Sequence, residues 1–114
     1  MRLKTVFTLF IFMFSLTTTS AQTRRALLVG ISDYGYKGQP DTWINIHGAN
    51  DVELLSPTLK KKGFTISKLC NKDATAKNIR GAFQKLISSC KSGDYVYVHF
   101  SGHGQPFEDC DGDE

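Results

Sequence analysis

The sequence predicts an α/β fold of three layers, with helices on both faces of a mostly parallel sheet. Three short strand-like runs, residues 26–31, 64–69 and 95–100, are separated by two stretches with helical periodicity. Strands that alternate with helices imply a parallel sheet joined by right-handed crossovers. The first run, ALLVGI, is apolar on both faces, as the central strand of such a sheet must be.

The chain has 114 residues, enough for one domain. Residues 1–21 read as an export signal: Arg2 and Lys4 precede an apolar run over 6–16, and Thr19-Ser20-Ala21 offers small residues before Gln22. The apolar run is too short to favour the alternative, an uncleaved membrane anchor. Gln22 rather than a cysteine stands directly after the cleavage site, which argues against a lipoprotein. The expected domain is 22–114, exported to a periplasm or the medium, with no stable membrane insertion once the signal is removed. The net charge is +3, and Arg2 and Lys4 belong to the signal. That balance is not the charge of a nucleic-acid binder.

Residues 32–46 form a long loop rich in Gly, Tyr and Asp, and such loops usually bind something or are disordered. A helix is expected over 49–62, with Val52, Leu55 and Leu59 at helical spacing. Pro57 conflicts with it, so a late start, a kink or a break is expected there. Lys60-Lys61-Lys62 suits the negative end of the helix dipole, and Gly63 supplies a stop. Residues 64–69 alternate apolar and polar, as an edge strand does. Asp73 or Thr75 is a candidate cap for a second helix, which lines up Ile79, Phe83, Leu86, Ile87 and Cys90 on one face. Ser92-Gly93-Asp94 turns the chain into the last strand.

Parallel sheets of this kind usually carry about five or six strands. Three would leave an open edge and an uncovered apolar face. The sequence therefore reads as an incomplete, N-terminal portion of a larger domain.

The chemistry gathers at the end of the third strand, in YVYVHFSGHGQ. His103 stands between Gly102 and Gly104 at a strand's carboxyl end, where open α/β sheets place their sites. An imidazole there can take and return a proton near neutral pH. The plain alternative is a loop histidine with no role. If the first strand lies between the other two, Ile31-Ser32-Asp33 faces Ser101-Gly102-His103 across the crevice. Asp33 is then a candidate substrate-binding residue, and the 32–46 loop and the Gly48-Ala49-Asn50-Asp51 turn border the same crevice.

No nucleophile stands out in this chain. Ser101 is tied to the strand, and Cys110 lies in an acidic loop that would raise a thiol pKa. Three cysteines, Cys70, Cys90 and Cys110, leave at least one thiol without a partner within the chain. None has metal-ligand spacing, and Cys90 is expected in the core. The acidic tail from Glu108 to Glu114 offers oxygen ligands, with Asp111 and Asp113 as calcium candidates. Its spacing does not reproduce an EF-hand, and a solvated acidic loop is the simpler reading.

ALLVGIS, GAND, VYVHFSGHGQ and DCDGDE together resemble the caspase-type cysteine peptidases, above all the metacaspases and their bacterial relatives. The resemblance covers residues 25–114. It implies a caspase-like α/β/α fold and a cysteine–histidine dyad acting on peptide or protein substrates, with no organic cofactor; calcium is bound by some metacaspases. His103 matches the catalytic histidine, and Gly104 the residue whose N–H helps form the oxyanion hole. The nucleophilic cysteine of the family follows the histidine by about 50 residues, past Glu114. Animal caspases use an arginine to hold aspartate, whereas residues 32–51 contain Lys37 but no arginine. Asp51 matches an acidic pocket residue of the metacaspases and Ser101 its small polar wall, so cleavage after Arg or Lys is implied. Asp51 as a plain helix cap is the competing reading. Rival functions are a non-catalytic binding module on the same fold and a calcium-dependent surface domain.

Overall fold

A computed structural model describes residues 21–105. The elements run β1 (Arg24–Gly30), α1 (Gly48–Lys61), β2 (Phe64–Cys70), α2 (Ala76–Ser89) and β3 (Tyr95–Ser101), with a 3₁₀ turn at Asn71–Asp73. The sheet order is β2-β1-β3, and both pairings are parallel. The first strand is therefore central, as its two apolar faces require. In register, Ala26 sits beside Ile66 and Tyr97, and Leu28 beside Lys68 and His99.

The core lies between β1 and α1. Ala26, Leu28, Val52 and Leu59 are buried, and Leu55, Phe64, Ile66 and Cys70 pack against them. Leu27 and Val29 are equally buried on the opposite, α2 side of the sheet. Each such aliphatic side chain contributes about 1.5–3 kcal/mol by leaving water, so β1 anchors both layers.

Helix α1 starts at Gly48 and runs unbroken through Pro57, so neither the late start nor the break expected from the sequence occurs. Pro57 and Glu53, whose carbonyl loses its rung, both lie on the exposed face, where water can satisfy that carbonyl. The opposite face seats Val52, Ser56 and Leu59 on the sheet, and such packing outweighs local propensity. The helix ends at the lysines, and Gly63 follows at φ +80°. The N–H of Asn78 donates to Thr75 Oγ1 at 3.2 Å, so Thr75 rather than Asp73 caps α2.

Two expectations for α2 are corrected. Ile87 is 69% exposed rather than on the packed face, and Cys90 is a half-buried cap residue rather than core. The helix contacts the sheet through residues such as Phe83, whose ring stacks on Phe100 at 6.1 Å. Ile87 falls to the flank of that contact. Among the described residues β3 has β1 as its one neighbour, and Tyr95, Val96 and Phe100 are each about half exposed. No described helix is long and apolar enough to cross a membrane.

Candidate active site

Helix α1 starts against the exits of β1 and β3. A Cβ on Gly48 would collide with the carbonyl oxygens of Ser101 and Ile31, and one on Gly30 with the Gly48 carbonyl. Only hydrogen at both positions allows this backbone approach. Ser32 Oγ accepts the N–H of Ala49 at 2.8 Å, satisfying one of the free donors of the first helical turn. The β1–β3 ladder extends one rung further, with Ile31 N–H donating to Ser101 O at 2.9 Å. The segment beginning at Ile31 and the Ser101-Gly102-His103 turn are thus neighbours, as the strand order predicts.

Asp51 projects from the first turn of α1 and accepts a hydrogen bond from Ser101 Oγ. Both residues are half-buried. Ser32 does the capping, while the Asp51 side chain turns to β3 instead. A carboxylate with a second oxygen to offer, beside a hydroxyl and near the positive end of a helix, can receive a cationic side chain.

His103 is half-buried, and its Nε2 lies 2.8 Å from the carbonyl oxygen of Ile44. A carbonyl only accepts, so Nε2 carries a proton, and in the neutral ring the lone pair is then on Nδ1. The backbone N–H of His103 donates to the Tyr34 hydroxyl at 2.7 Å. Gly104 is exposed, with open space where a Cβ would be.

Asp33 is placed differently from Asp51 and Ser101. Its Oδ1 accepts from Gly35 N–H at 2.9 Å, closing a local turn. It borders a groove of about 480 Å³ with Gly35, Cys70, Asn71, Lys72 and Asp73, at the exit of β2. Asn71, at φ +48°, accepts the N–H groups of Ser32 and Asp33 on one side-chain oxygen, at 2.8 and 3.1 Å. That side chain ties the β1 exit to β2. Burial, together with Glu53, pushes the Cys70 thiol up, which disfavours a thiolate.

Cys110, Asp111, Asp113 and most of the expected signal lie outside the described residues. Among the described residues no three His, Cys, Asp or Glu side chains are grouped to hold a metal. Sequence reasoning missed the Ile44 carbonyl, the Tyr34 hydroxyl and the Asn71 brace. For the Tyr34 hydroxyl the one signal was the aromatic content of the 32–46 loop.

A family model described as the caspase domain matches residues 23–114. The chain belongs to the caspase domain family. Among its relatives, metacaspase-7 of Arabidopsis thaliana is 40% identical over 91 residues, which are 71% of this chain and 21% of that protein. Metacaspase-2 of Trypanosoma brucei brucei is 35% identical over 100 residues, 77% of this chain and 27% of that protein. Metacaspase-1A of Aspergillus oryzae is 33% identical over 102 residues, 81% of this chain and 23% of that protein. The chain thus spans about a quarter of the length of these curated relatives. Within the caspase domain, the three parallel strands and their helices make up the α/β scaffold that carries the His103 turn.

Proposed function

We propose that this caspase domain serves a cysteine endopeptidase that cleaves peptide bonds after Arg or Lys. The observation that carries the reading is the bond between His103 Nε2 and the Ile44 carbonyl, which leaves Nδ1 as a base. Nδ1 takes the proton of a cysteine thiol, and the thiolate attacks the scissile carbonyl carbon. The N–H of Gly104 donates to the oxygen that becomes negative. The imidazolium then returns its proton to the leaving amine, and His103 activates the water that hydrolyses the thioester. Asp51, steadied by Ser101, receives the Arg or Lys side chain before the scissile bond. The nucleophile is a cysteine other than Cys70 and Cys90: the first has a raised pKa, and the second ends α2. The basic, apolar and small-residue order of the leader supports export of the enzyme.

The test is His103→Ala in the full-length gene product, assayed on fluorogenic peptides ending in Arg, Lys or Asp. Loss of at least about a hundredfold in kcat on the Arg and Lys peptides is expected. Unchanged turnover would remove His103 from the chemistry.

A further inference from the structure

The loop between β1 and α1 touches His103 through two aromatic side chains as well as the Ile44 carbonyl. The Tyr34 ring meets the imidazole edge-on, with centroids 4.6 Å apart and planes at 66°. Trp43 approaches it at 4.6 Å and 56°. The two aromatic rings are 6.3 Å apart with planes 27° from parallel, and the imidazole packs against both at a steep tilt. A Cβ on Gly102 would come within 2.8 Å of the Tyr34 hydroxyl. The first glycine of the turn therefore leaves the space through which Tyr34 reaches the His103 amide.

A hydrogen bond to one ring nitrogen leaves the imidazole free to pivot about that bond. Two aromatic rings in contact with the imidazole, each steeply tilted to its plane, oppose that pivot. They are themselves held in place: Tyr34 N–H donates to Asn45 Oδ1 at 2.9 Å, and Ile46 N–H to Ser32 O at 3.0 Å. The loop closes on itself while presenting the Tyr34 ring, the Trp43 ring and the Ile44 carbonyl to one side chain.

We propose that Tyr34 and Trp43 are positioning residues that lock the His103 ring with Nε2–H on Ile44 and the lone pair on Nδ1. This rests on the reading of His103 as the proton-transfer group and adds the side chains that fix its orientation. Tyr34 acts on the backbone and on the ring edge, and Trp43 on the ring alone.

The experiment is long-range ¹H–¹⁵N NMR of the full-length gene product labelled at histidine, with His103 assigned by substitution and the rings kept neutral at alkaline pH. The wild type should show a single tautomer protonated at Nε2. Trp43→Ala should give averaged ring nitrogen shifts, and Trp43→Phe should restore the single tautomer. Tyr34→Phe keeps the ring contact but should speed hydrogen exchange of the His103 amide about tenfold. On an Arg peptide, Trp43→Ala should lower kcat about tenfold while KM stays within about twofold. An unchanged tautomer in Trp43→Ala, with kcat also unchanged, overturns the positioning role. A tautomer that shifts as expected in a protein without peptidase activity upholds that role and overturns the endopeptidase reading instead.

Discussion

Ser101, the last residue of β3, donates its hydroxyl hydrogen to the carboxylate of Asp51, fifty positions earlier in the chain. This bond joins the start of α1 to the strand that carries His103. It turns the carboxylate toward β3 rather than toward the end of its own helix.

If that carboxylate receives a cationic substrate side chain, Asp51→Asn removes a charge-assisted hydrogen bond worth about 1.5–3 kcal/mol, or roughly ten- to hundredfold in kcat/KM. Ser101→Ala, which leaves the charge in place, should have a smaller effect in the same direction. The measurement is the ratio of kcat/KM for Arg and neutral peptides. A ratio untouched by Asp51→Asn would exclude this residue from substrate selection.

The helix start offers a stability test with its own control. Gly48→Ala drives a methyl group into two backbone carbonyls. It should lower stability by about 1–3 kcal/mol, the usual range for overpacking. Gly81 lies inside α2 with open space at its Cβ position. There Gly81→Ala should raise stability by about 0.5–1 kcal/mol through helix propensity. Denaturant titration reads both, and equal effects at the two sites would refute the close approach.

Asp94 ties the residues ahead of β1 to the turn before β3. Its carboxylate accepts the N–H groups of Thr23 at 2.9 Å and Lys91 at 3.0 Å, with Arg25 Nε at 3.9 Å. The two N–H bonds, and Arg25 to a lesser degree, hold its carboxyl below the ordinary 3.8. A depressed folded-state pKa stabilises the fold above the unfolded value, and that stabilisation fades as pH falls through the lower folded value. Asp94→Asn should therefore lower Tm at pH 7, and its gap from the wild type should close as pH drops from about 5 to below 3. A gap of constant size across that range would contradict the assignment.

Much of the scaffold was legible because its signals are local. The apolar run at 26–31 announced a central strand, and Gly63 marked the end of α1. Where local signals misled, a tertiary contact prevailed. Pro57 sits on a face that water reaches while the opposite face is fixed to the sheet, so the helix survives. Ile87 matched a helical stripe but is left exposed where α2 packs through Phe83. The site divides in the same way. His103 and its glycines stand together in the chain and could be read directly, whereas the pairing of Asp51 with Ser101 needed the fold to bring two distant turns together. The Ile44 carbonyl had no signature at all, since every residue carries one.

That last point bears on how the histidine's support can be altered. Its orienting partner belongs to the main chain, so replacing the isoleucine side chain leaves the acceptor oxygen where it was. A scan that exchanges side chains one by one would pass over this position. Shortening the β1–α1 connection by a residue would pull the oxygen off the ring, so the length of this loop matters to His103 alongside the aromatic side chains that touch it.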